Sequence, residues 1–118
     1  MKTPIKLLFD NNPVATIISF GYETPWATGK VEFLDQAFFS KLISVTAMLF
    51  FIYKLEELNL TDKEEEQLYE AETLKLGIAS NDSELTKDKR WSIVPDHGIQ
   101  QEIYAVRFYE SNFMDWRM

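Results

Sequence analysis

The sequence predicts a single α+β domain over residues 1–118, an antiparallel sheet of about five strands with two helices packed on one face. Three observations carry this. Short β-branched runs near both ends alternate with turn residues. One long apolar helical segment occupies the middle, from Gln36 to about Leu58. An acidic segment with helix start and stop signals follows it, giving the order β-β-β-α-α-β-β.

Ile5–Phe9 reads as a strand with Ile5, Leu7 and Phe9 on one face. Asp10-Asn11-Asn12-Pro13 reads as a turn, because Asn and Asp tolerate left-handed backbone and Pro fixes φ. Val14–Phe20, rich in β-branched residues, completes a hairpin. Gly21–Gly29 (GYETPWATG) reads as a glycine-bounded loop, since Pro25 cannot donate to a strand ladder. Lys30–Leu34 is the third strand, with Val31 and Phe33 inward.

Asp35 is placed to cap the long helix. At 100° per residue Phe38, Leu42, Val45, Leu49, Ile52 and Tyr53 share a face, and Leu42, Val45, Leu49 and Ile52 are the expected core. Met48, Phe51, Leu55 and Leu58 lie on the other side, so the second half of the helix is apolar nearly all round and needs cover on two sides. The surplus surface predicts a homodimer. In the second helix Thr61 and Glu64 have capping-box spacing, and Gly77 is a ready stop. Its apolar stripe, Leu68, Tyr69 and Leu76, is narrow, so it should be peripheral. Ala79–Arg90 reads as a loop, Trp91–Val94 as a fourth strand and Pro95–Gly98 as a turn. Gln101–Tyr109 reads as a central fifth strand with Tyr104, Val106 and Phe108 on one side and Ile103 and Ala105 on the other. Phe113 and Trp116, at i, i+3, suggest a final helical turn.

Composition excludes several kinds of chemistry. The chain has no cysteine, which removes disulfides, thiolate metal sites and cysteine nucleophiles; with a single histidine, no multi-histidine centre can form in one chain. The net charge of −7 speaks against general nucleic-acid binding. Eight of the 19 acids lie between Glu56 and Glu72 with only Lys63 among them, so this segment carries the entire net charge. The most apolar run, Leu42–Tyr53, has twelve residues, against about 20 needed to span a bilayer. Without a secretory leader pattern, a cytoplasmic protein with no membrane contact is expected.

Candidate chemistry is sparse. His97 sits in a turn beside Asp96, but neighbouring side chains point apart and do not form an orienting pair. Glu23, Glu32 and Asp35 could converge near Trp26, yet Glu32 reads as an outward strand residue and Asp35 as a cap. The glutamates at 64–66 lack the alternating oxygen ligands and central glycine of a calcium loop. No glycine-rich phosphate loop and no hydrolase elbow occur. No catalytic residue, cofactor or metal is therefore assigned.

The expected function is that of a non-enzymatic protein-interaction domain. Glu64, Glu65, Glu66 and Glu70 would dock a basic protein partner, and Tyr22 and Trp26 would form a second contact. In size, acidity and lack of cysteine the chain is similar to bacterial immunity and inhibitor proteins, which implies an inhibitor of a basic enzyme. The alternative is a small-molecule-binding domain or small enzyme with a pocket near Trp26.

Overall fold

A computed structural model gives the structure of residues 5–117, apart from Thr24, Ser80, Asp96, His97 and the Phe20 side chain. The middle of the turn expected at Pro95–Gly98, Asp96 and His97, thus lies outside the described residues. The elements are β1 (Ile5–Phe9), β2 (Asn12–Glu23), β3 (Trp26–Phe33), α1 (Gln36–Glu57), α2 (Asp62–Leu76), a short 3-10 turn (Asp82–Thr86), β4 (Trp91–Val94), β5 (Gln101–Glu102), β6 (Tyr104–Tyr109) and β7 (Phe113–Arg117). The class is α+β, as expected, but the sheet has seven strands instead of about five, in the order β5-β4-β1-β2-β3-β7-β6.

The β1–β2 turn forms through Asp10 and Asn11 at φ 49° and 65°, the left-handed pair that a tight two-residue hairpin demands. Arg90 ties this turn down. It donates to the Asp10 carboxylate at 3.0 and 2.6 Å, and Asp10 N–H donates to the Arg90 carbonyl at 2.8 Å. The hydrogen bonds from Arg90 hold the Asp10 carboxyl below the usual carboxylate range.

The glycine-bounded loop expected at 21–29 is instead the far end of one long hairpin, with Gly21 opposite Thr28 and Glu23 opposite Trp26. Pro25 sits at its tip, beyond the ladder, where its missing N–H is harmless. Gly29 is needed for close approach, not for a turn. A Cβ there would meet the Ser19 carbonyl oxygen at 2.6 Å and Ile17 Cγ2 at 2.7 Å.

Two further corrections concern the C-terminal strands. The segment read as one central strand breaks at Ile103, and Ala105 takes φ 52° where the register slips between Tyr104 and Arg107. This slip puts Ile103, Val106 and Phe108 in the core and leaves Tyr104 exposed. The terminal segment read as a helical turn is strand β7, with Met114 and Trp116 inward at period two.

β5 and β6 are consecutive in the chain yet stand at opposite ends of the sheet. The sheet therefore curls until its ends meet, and Ile103 N–H donates to the Trp91 carbonyl at 3.1 Å to close it. Beyond that closure β4 and β6 part, and α1 lies along the β6 edge. Thr46 seals this seam: its hydroxyl accepts from Phe108 N–H and donates to the Leu42 carbonyl, both at 3.0 Å. An open strand edge is thereby satisfied by a buried side chain. Inside, Phe33, Phe39, Trp91 and Phe108 pack ring against ring, with centroids 4.7 Å apart for Phe33–Phe39 and 5.2 Å for Trp91–Phe108.

Asp35 caps α1 as expected, accepting from the Ala37 and Phe38 amides. The buried residues of α1 differ from those expected. Leu42 and Val45 are buried; Leu49 and Ile52 are only half-buried, while Met48 and Leu55, assigned to the other side, are buried. The reason is that the buried contacts of α1 with the sheet lie in its first three turns; beyond them Phe50 still reaches β6, its ring 6.3 Å from that of Tyr109. The second half overhangs it and is covered by α2 and the 3-10 turn from a different direction.

Candidate functional site, the helical arm

The overhanging half of α1 and all of α2 form an arm. α2 begins with the expected capping box. Glu64 N–H donates to the Thr61 hydroxyl oxygen at 3.2 Å, and Thr61 N–H donates to the Glu64 carboxylate at 3.1 Å. α2 ends at Gly77 with φ 68°. No residue of α2 is buried. The helix is stabilised by its caps and by its contact with α1, and it is peripheral as the narrow stripe implied.

The four glutamates expected to act together take three different positions. Glu64 is committed to the cap, and its hydrogen bonds from the Thr61 amide and hydroxyl hold its carboxyl below the usual range. Glu65 is half-buried and turns toward α1. Glu66 and Glu70 stand in solvent. Glu65, Glu66 and Glu70 form no ion pair among the described residues; on α2 the pair found is Lys75 with Glu72, at 4.0 Å. Lys63 is the single base between Glu56 and Glu72, so this stretch keeps a net charge of −7.

Between α1 and α2 runs an apolar cleft of about 410 Å³. Val45, Met48, Leu49 and Ile52 line one wall, and Tyr69, Thr73 and Ile78 the other, with the 3-10 turn closing one end. A second depression of about 350 Å³ shares Ile52 and Tyr69 with it and is rimmed by Glu56, Asp62, Glu65 and Glu66. The apolar cleft thus opens toward a cluster of carboxylates. Sequence reading did not locate this cleft. Its signal was present in the excess apolar surface of α1 opposite a helix too polar to cover it.

Tyr22 and Trp26 lie near the tip of the β2–β3 hairpin, well separated in the chain from α2. Tyr22 is exposed. Trp26 is half-buried on the outer face of the sheet, where the Arg107 guanidinium stacks on its ring at 4.0 Å. Arg107 also donates to Asp115 at 2.8 Å, and the Tyr109 hydroxyl donates to the same carboxylate at 3.1 Å. Burial, with the Asp115 charge beside it, pushes the Tyr109 hydroxyl up to about 12. Trp26 is thus held by a structural network. The open depression beside it, about 630 Å³ and lined by Gly21, Tyr22, Glu23, Trp26 and Thr28, offers a single carboxylate. Glu32 and Asp35 do not join Glu23 there; Glu32 is exposed on its strand and Asp35 is the helix cap.

Among the described residues no group of three histidine or carboxylate side chains could hold a metal ion. α1 as a whole is long and apolar enough to cross a membrane by length and composition, longer than the twelve-residue run suggested. Six of its 22 residues are buried within the fold, Phe39, Leu42 and Thr46 among them. Compared with protein-family models, curated protein sequences and solved structures, the chain has no significant match.

Proposed function

We propose that the protein is a non-enzymatic interaction domain that docks a basic protein partner through the helical arm, in the manner of an inhibitor of a basic enzyme. The observation that carries this reading is the net-acidic surface of α2 beside an apolar cleft. Charge of one sign speeds encounter with a partner of the other sign, and apolar contact then holds it. Tyr22, near the hairpin tip, supplies a second contact next to Trp26. The reading includes a cytoplasmic location and a homodimer formed through Phe51 and the exposed Leu58, on the side of α1 away from the cleft.

The test is capture from the native host at low salt by the wild-type chain and by Glu66→Lys/Glu70→Lys. Exposed charges are screened beyond about 8 Å at physiological ionic strength. A partner retained by wild type, released by salt and lost by the charge-reversed variant supports docking through α2. Equal retention by both chains at high salt would overturn it. Sedimentation of the same wild-type sample should give twice the 13.8 kDa chain mass; a monomer at micromolar concentration removes the dimer from the reading.

A further inference from the structure

We infer that the α1–α2 cleft receives the apolar stripe of a basic amphipathic helix presented by the partner, with its positive residues over the carboxylates at the open end. This deepens the reading above and rests on it.

The shape and the charge both bear on the occupant. The cleft is a trough between two helices, and its lining is mostly aliphatic and aromatic, with hydroxyl groups at Tyr69, Thr73, Ser83 and Thr86. Helix-in-groove recognition uses such a trough, filling it with residues at i, i+3, i+4 and i+7. The two depressions meet at Ile52 and Tyr69. An apolar anchor in the larger one therefore brings residues a turn or two away on its helix over Glu56, Asp62, Glu65 and Glu66. Those four carboxylates make no ion pair among the described residues. Lysine or arginine at that end of the incoming helix would be matched, and glutamate would be repelled.

The same charges exclude the other natural occupants of an apolar groove. A second copy would set one α2 against another, placing like charges together. An anionic lipid surface would be repelled for the same reason. α2 itself cannot close onto α1 without further burying Glu65, already half-buried in the adjoining depression.

The experiment uses the full chain and three synthetic 14-residue peptides, read by fluorescence anisotropy. One has leucine at helical spacing with lysine elsewhere. One has the same composition scrambled to destroy the stripe. One replaces lysine by glutamate. The Leu/Lys helix should bind at least tenfold more tightly than either of the others. Tyr69→Ala and Ile52→Gln should each weaken it about tenfold, and Phe50→Gln, outside the cleft, should leave it unchanged. Tyr69 is about half exposed, so its variant keeps the test valid if Ile52→Gln fails to fold.

Equal binding of the ordered and scrambled basic peptides, still weakened by Glu66→Lys, would overturn the helix-in-groove inference and leave the basic-partner reading standing. Equal binding of the Leu/Glu peptide would overturn both. Failure of every peptide to bind overturns the inference, while the capture experiment judges the reading separately. A chain dimer dissolved by Ile52→Gln, or Ile52-dependent binding to anionic phospholipid vesicles, would assign the cleft to one of the excluded occupants.

Discussion

The curled sheet and the helical arm are built on opposite terms, although α1 runs through both. Around the sheet, Leu7, Ile17, Leu42, Trp91, Ile103, Phe108, Met114 and Trp116 are all sealed from water, and on the β6 edge Thr46 accepts from Phe108 N–H. In the arm, no residue of α2 is buried, and Phe50, Tyr53, Leu58, Leu68 and Leu74 remain exposed, Leu74 at 83%. One continuous helix thus spends its first half as a core element and its second as a platform. Stability resides where apolar faces meet on all sides, and recognition surface is left where they do not. A region with few buried contacts also opens locally at lower free energy than the rest.

The sharpest way to break this contrast is by truncation on each side of it. Leu42→Ala should cost about 2–5 kcal/mol in urea unfolding, because a fully buried leucine leaves a cavity. Leu74→Ala should stay within about 0.5 kcal/mol, as exposed-face changes do. Comparable losses at the two positions would mean that α2 is packed against something and is not a free arm.

Thr46→Val tests the seam between the two regions. It keeps the shape but leaves Phe108 N–H buried without its acceptor, a loss of about 1–3 kcal/mol. The Phe108 amide should also exchange faster with solvent than its neighbours in β6. Unchanged exchange there would show that α1 does not seal the β6 edge.

A smaller loss than either core or seam change belongs to the arm alone. Thr61→Ala removes the N-cap of α2, worth about 1 kcal/mol. Hydrogen exchange should quicken across 62–76 and stay constant in β1–β3. Faster exchange throughout the chain would make arm and sheet one cooperative unit.

Local signals were legible wherever a few neighbouring residues decide the outcome. Asp35, the Thr61–Glu64 pair and Gly77 act within one turn of chain and form as their residue types require, while the turn read over Asp10–Pro13 shortens to Asp10 and Asn11 because Asn12 and Pro13 join β2. Strands with clean alternation, such as Lys30–Phe33, were equally plain. The misreadings share a cause. Gly21–Gly29 looked like a loop because its glycines and proline are breakers in isolation, but Gly29 is there so that Trp116 and Ile17 can pack across it. Phe113 and Trp116 fit a helical spacing as well as a strand, and β3 supplied the partner that decided between them. The surplus apolar surface of α1 announced an uncovered region, yet which of its residues line the cleft depended on where α1 leaves the sheet.

By itself, then, the sequence determined the class of the fold, the helix caps, the exclusion of cysteine chemistry and the concentration of negative charge between Glu56 and Glu72. These follow from residue type and short-range geometry. Tertiary structure alone decided the closure of the sheet at Ile103, the sealing of its edge by Thr46, the stacking of Arg107 on Trp26 and the joining of an apolar cleft to four carboxylates. Each depends on register, on the twist that brings β4 and β6 together, and on the angle at which α2 meets α1. Those are set by contacts between residues tens of positions apart, for which no local spacing carries a signal.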